Sequence, residues 1–212
     1  MDLINPLVQA YAEEFSSPED DLLKEIALYT RSYHQEYNML SGHLQGKMLE
    51  MISRMVRPRR VLEIGTFTGY SGLCLAKGLD SEGLLHTIEL RKEEAAVAAG
   101  FFKKSKSADR IILHTGNALE IIPKLNEIWD LVFIDADKSG YIEYFNLVLS
   151  KVRKNGFILA DNIFFQGQVF GSEVKGKNAK AIIAFNQYIQ ARTDIDKMII
   201  TLRDGLFLIR KL

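Results

Sequence analysis

The sequence predicts an α/β domain: a doubly wound, mostly parallel sheet that ends in an antiparallel pair and is preceded by helices. Three observations predict it. From residue 60 onward, five short β-rich runs alternate with amphipathic stretches, the pattern of successive β-α units. The runs are almost continuously apolar, as strands covered on both faces are. Finally, residues 197–202 and 205–209 are apolar runs joined by Arg203-Asp204, and a short Asp-Gly connection of this kind is a hairpin signal.

The first 58 residues read as helix only. Residues 20–33 set Leu22, Leu23, Ile26, Ala27 and Tyr29 at helical spacing, and residues 42–56 do the same with Leu44, Met48, Leu49, Ile52, Met55 and Val56. Arg57 and Pro58 end the second of these. The polar and aromatic stretch 33–41 connects them, and the whole segment is a candidate lid or oligomer surface. Strands are predicted at 60–64, 84–89, 110–114, 130–135 and 156–160, with helices near 70–79, 92–104, 118–125, 140–152 and 178–191. No repeat, low-complexity tract or linker interrupts this order, so residues 1–212 read as one domain: a helical cap over 1–58 and an α/β core over 59–212.

Composition narrows the function. The 212 residues carry 27 basic and 27 acidic side chains, so no global field draws the protein to nucleic acid or an anionic membrane. Hydrophobic residues at 47% and charged residues at 25% exclude a disordered or fibrous chain. The single cysteine, Cys74, permits no internal disulfide, and the first residues lack the basic-then-apolar order of a signal peptide. A cytoplasmic, membrane-free protein is the expectation.

In a doubly wound sheet, ligands bind beyond the carboxyl ends of the strands. The first predicted strand runs into Gly65-Thr66-Phe67-Thr68-Gly69-Tyr70-Ser71, a glycine turn before a helix, open to a ligand or simply tight. Its glycines do not match the three-glycine dinucleotide fingerprint, which favours a smaller ligand. Glu89 ends the second strand, placed either for ribose hydroxyls or to cap the next helix. Gly116 and Ala118 follow the third and leave room for a flat base, while Asn117 is equally a helix cap. Asp135 closes the fourth strand, and Asp161 and Asn162 close the fifth. Two carboxylates and an amide oxygen are a hard, oxygen-only set suited to Mg²⁺ first, or to Mn²⁺ or Ca²⁺. Phe164 and Phe165 come next and suit either an aromatic wall or simple packing. Tyr33, His34, Tyr37 and His43 are candidates for a pocket entrance.

Together these residues resemble the metal-dependent, S-adenosylmethionine-dependent O-methyltransferases of the catechol and caffeoyl-CoA type. The resemblance rests on Met39-Leu40-Ser41-Gly42-His43-Leu44-Gln45-Gly46, Leu62-Glu63-Ile64-Gly65-Thr66-Phe67-Thr68-Gly69-Tyr70-Ser71, Phe133-Ile134-Asp135-Ala136-Asp137-Lys138, Asp161-Asn162 and Asp204-Gly205-Leu206. It implies a Rossmann-like, seven-stranded sheet with an antiparallel C-terminal strand. It also implies Glu63, Gly65, Thr66 and Ser71 around the methionine end of S-adenosylmethionine, with Leu40 or Ser41 nearby, Glu89 on the ribose and Ala118 on the adenine. Gly116, Asn117 and Asp135 complete the cofactor set. Asp135, Asp161 and Asn162 are implied cation ligands and Lys138 the base, with its pKa expected to be lowered by burial beside the metal. Phe165 stands where relatives commonly carry tryptophan, against the substrate ring. The implied partners are a phenolic, catechol-like small molecule and a second copy of the chain. Other readings are a tRNA hydroxyuridine O-methyltransferase, a nucleotide-binding oxidoreductase, and a dimeric binding protein without turnover.

Overall fold

The computed structural model describes residues 3–171 and 174–212; the first two residues of the predicted cap lie outside that range. Helices α2 (Asp21–Tyr33) and α3 (Gly42–Val56) match the predicted pair. Asp20 caps α2 by accepting from the Leu23 N–H, and Arg57 ends α3 in the left-handed region just before Pro58. A further helix, α1 (Pro6–Glu14), precedes them, with Asn5 as its cap and proline in its first turn.

The strands are β1 (Arg60–Ile64), β2 (Leu84–Glu89), β3 (Ile111–Thr115), β4 (Trp129–Ile134), β5 (Val152–Asp161), β6 (Ile195–Ile200) and β7 (Leu206–Lys211). Between them lie α4 (Tyr70–Ala76), α5 (Lys92–Lys104), α6 (Ala118–Ile121), α7 (Tyr141–Leu149) and α8 (Lys177–Ala191). Several boundaries differ from the sequence reading, three of them for plain local reasons. Pro123 turns the last part of the predicted 118–125 helix into a 3₁₀ turn. The 140–152 helix stops at Leu149 because Val152 already pairs with Trp129. Strand β5 is longer than predicted because it absorbs Asn155, at φ 60°, across an irregular register with β4.

The seven strands are ordered β3-β2-β1-β4-β5-β7-β6. All neighbours are parallel except that β7 runs antiparallel between β5 and β6, as expected. Successive residues on a strand face opposite ways, which builds two cores. Leu62, Ile64, Val132 and Ile158 meet Tyr141, Phe145, Phe185 and Ile189 of α7 and α8 on one side. Val61, Leu131, Phe133 and Leu159 meet Leu23, Ile26, Leu49, Leu73 and Phe102 of α2 to α5 on the other. Truncating one such side chain to alanine costs about 2–5 kcal/mol.

The chain winds one way through β1, β2 and β3 and the other way through β4 and β5. The strand order therefore reverses between β1 and β4, and a crevice opens beyond their carboxyl ends. Among the described residues no helix is long and apolar enough to cross a membrane.

Candidate active site

The crevice has a volume of about 750 Å³. Of the cofactor, cation and substrate residues implied by the resemblance, all but one line it: Leu40, Ser41, Gly65, Thr66, Ser71, Glu89, Gly116, Asn117, Ala118, Asp135, Lys138, Asp161, Asn162 and Phe165. These residues come from six separate segments, five of them at the ends of the parallel strands β1 to β5, which finish side by side.

On the β1–β2 flank the walls are backbone and hydroxyl groups. Gly65 sits at φ 98°, and a Cβ there would lie 2.0 Å from the Asp135 carbonyl oxygen, so only glycine allows β1 and β4 to exit together. Glu89 accepts from the Thr66 and Phe67 N–H groups at 3.2 and 2.7 Å and from the Arg91 N–H at 3.0 Å. It thus ties the glycine turn to the start of α5 while lining the crevice. Asn117 caps α6 through the Leu119 N–H at 3.0 Å.

Glu63 is the exception. On β1 it shares the face of Val61, under α4, and it is fully buried beneath the crevice instead of lining it. Its carboxyl group accepts from the Ser71 and Thr87 hydroxyls, each at 2.6 Å, and Thr66 bonds Thr87 in turn at 2.5 Å. Burial pushes its pKa up to about 8, against the pull of those two hydroxyls and with help from the charges of Asp135 and Glu89. Glu63 thus braces Ser71 and, through Thr87, Thr66, both of which line the crevice.

The β4–β5 flank is charged. Lys138, in a 3₁₀ turn capped by Asp137, places its Nζ 2.9 Å from Asp135 Oδ1, 2.7 Å from Asn162 Oδ1 and 2.8 Å from the Tyr141 hydroxyl. Asp161 is buried. Its Oδ2 accepts from Gln45 Nε2 at 2.6 Å and its Oδ1 from the Asn162 N–H at 2.8 Å. Burial and the nearby charge of Asp135 hold its pKa above the usual carboxylate range. With no cation bound, burial pulls the Lys138 pKa down, but the negative charges of Asp135 and Asp161 and the hydrogen bond to Tyr141 outweigh it and keep the ammonium protonated.

Among the described residues no cluster of three or more His, Cys, Asp or Glu side chains is placed to hold a metal ion. The set here is two carboxylates and one amide. Its chemistry fits a hard cation, and Lys138 shows that Asp135 Oδ1 and Asn162 Oδ1 already converge on one positive charge.

Several residues at the site carry no motif of their own. Gln45, Tyr141, Arg203 and the side chain of Asp204 are brought in by the fold, and only Gln45 and Asp204 fall within segments the family resemblance covers. Arg203, at φ 50° in the β6–β7 turn, donates to the Leu40 carbonyl at 2.7 Å and to that of Ser41. The aromatic pair divides: Phe165 lines the crevice, whereas the Phe164 ring lies where a Cβ on Gly205 would be 2.6 Å from it and packs on Phe170. The proposed entrance residues turn elsewhere. His34 bonds Glu94 at 2.7 Å, His43 bonds the Ser17 carbonyl at 2.8 Å, and Glu36, Asn38 and Met39 line the crevice in their place. Cys74 is buried in α4, as expected, with burial holding its thiol protonated.

Residues 13–212 match the O-methyltransferase family. A catechol O-methyltransferase of Niastella koreensis is 33% identical over 160 residues, covering 74% of this chain and 72% of that one. Among solved structures, the O-methyltransferase TomG of Streptomyces achromogenes, in complex with SAM, aligns with a TM-score of 0.87 at 30% identity over 97% of this chain and 96% of its own. The SAH-bound methyltransferase PaMTH1 of Podospora anserina aligns with a TM-score of 0.90, again at 30% identity, over 97% and 94%. The chain belongs to the O-methyltransferase family.

Proposed function

We propose that this O-methyltransferase moves the methyl group of S-adenosylmethionine to one hydroxyl of a vicinal dihydroxy aromatic small molecule, assisted by a divalent cation, Mg²⁺ first among candidates. The observation that carries the reading is the convergence of Asp135, Asp161 and Asn162 with Lys138 across one crevice from the glycine turn. Relatives of catechol type and neighbours solved with SAM or SAH support it.

In this reading Gly65, Thr66 and Ser71 cradle the methionine end of the cofactor beside Leu40 and Ser41. Glu89 takes the ribose hydroxyls, and Gly116, Asn117 and Ala118 flank the adenine. Asp135, Asp161 and Asn162 would hold the cation, which would supply positive charge that makes a substrate hydroxyl easier to deprotonate. Lys138 Nζ is the proton acceptor. It becomes one only when the negative charge that Asp135 and Asp161 press on it is offset, which ties base strength to occupancy of the site. The substrate oxygen then forms the new O–C bond as the C–S bond breaks, and the sulfur keeps the electron pair. Attacking anion and sulfonium neutralise each other, so the protein contributes chiefly alignment and exclusion of water. Phe165 offers the ring a flat wall.

Methyl-labelled cofactor with a panel of catechols, caffeoyl thioesters, single phenols and bulk tRNA tests this, with Mg²⁺ and with EDTA. Transfer to vicinal diols alone, lost in EDTA, is the expected result. Full transfer in EDTA overturns the cation, and preferential labelling of tRNA overturns the substrate class.

A further inference from the structure

Two side-chain amides stand at the proposed cation site, and the turn between β6 and β7 touches both. The Asp204 carboxyl lies beside the Asn162 side chain, and its Oδ1 accepts from the Gln166 N–H at 2.6 Å. The Asn162 oxygen accepts from Lys138. Gln45 is the second of the two. It is buried on α3, its Nε2 donates to Asp161 Oδ2 at 2.6 Å, and its Oε1 accepts from Arg203 at 3.3 Å.

An amide has one accepting and one donating end. A guanidinium can only donate, so Arg203 settles which end of Gln45 faces Asp161. The Asp161 carboxylate then receives one N–H on each oxygen, from Gln45 and from Asn162, and keeps a lone pair on each for another partner. Without Gln45, Oδ2 would be a buried oxygen lacking its only side-chain donor, free to rotate toward Lys138 or to stay protonated.

We infer that Gln45 is a positioning residue of the cation site, aiming the Asp161 carboxylate while Arg203 fixes the sense of its amide. The inference rests on the cation reading above. It gives α3, an element outside the sheet, control over a ligand at the end of β5.

The test is Mn²⁺ binding to the substrate-free protein, followed by electron paramagnetic resonance of free Mn²⁺, beside calorimetric titration with S-adenosylhomocysteine and thermal unfolding in EDTA. Gln45→Met keeps the length and removes the amide. Its Mn²⁺ affinity should fall by about 10- to 100-fold, the usual effect of losing an outer-shell partner, while S-adenosylhomocysteine affinity is retained. Arg203→Met leaves Gln45 in place but unclamped, and should weaken both Mn²⁺ and S-adenosylhomocysteine, because Arg203 also holds the Leu40 and Ser41 carbonyls. If Gln45→Met fails to fold, Arg203→Met decides by the same Mn²⁺ readout. Wild-type protein that binds Mn²⁺ with both variants unchanged overturns this inference alone. Wild-type protein that does not bind Mn²⁺ overturns the cation reading with it.

Discussion

The two flanks of the crevice each bury a carboxyl group, and each satisfies it differently. Glu63 on β1 is surrounded by neutral hydroxyl donors, Ser71 and Thr87, with no cation in contact. Asp161 on β5 receives an amide and a backbone N–H, and it shares a neighbourhood with Asp135 and the ammonium of Lys138. Burial raises both pKa values. On the first flank a proton near neutrality completes the arrangement, which is suited to bracing a loop. On the second, two carboxylates face one ammonium, so the flank retains an appetite for positive charge. The contrast separates an acid that braces a loop from one proposed to hold a cation more clearly than burial does.

The largest expected effect breaks that contrast at Asp161. Asp161→Ala should cut turnover by about 10³-fold or more, since an electrophilic cation contributes several kcal/mol, while cofactor binding by calorimetry survives. EDTA on the wild type should reproduce the loss, and an active Asp161→Ala protein would erase the distinction between the flanks. Next, Lys138→Met should lower kcat by roughly 10²- to 10⁴-fold, the range for a lost proton acceptor, with the deficit shrinking as pH rises and the substrate ionises unaided. A smaller change tests the seam between the flanks. Gly65→Ala places a methyl group against the Asp135 carbonyl and forces an unfavourable φ, and should cost at least ~1–3 kcal/mol in urea unfolding.

The smallest effect concerns Glu63. Its folded pKa, about 8, lies above the unfolded value of 4.5. Its contribution to stability is therefore fully present below about pH 4.5 and is lost as pH rises through 8. Glu63→Gln should flatten the fall in thermal midpoint across that window and leave turnover within an order of magnitude. A variant with an unchanged pH profile would show that Glu63 does not carry a displaced proton.

The sequence exposes whatever depends on strand ends. Asp135, Asp161 and Asn162 were legible as a set because adjacent parallel strands must finish together, whereas Lys138 stood out only through the family resemblance. Glu63 stands apart because it lies one step before the end of β1, where side-chain alternation sends it under α4. Gln45 and Arg203 carry no spacing signal. They lie 116 and 42 residues from Asp161, and only the docking of α3 and the β6–β7 turn brings them near. Helix α1 offered little to read, since none of its residues is buried and its apolar positions face no core.

Strand β7, latest in the chain, lies between β5 and β6 and is the sole partner of β6 in the sheet. Assembly of that edge cannot proceed from the N-terminus outward: β6 emerges first and has nothing to dock on until β7 arrives. The turn that holds Arg203 and Asp204 joins those two strands, so its place at the crevice depends on β7 pairing with both neighbours. Clipping the chain just before Leu206 would therefore unhook two strands at once and silence a site whose ligands remain covalently intact.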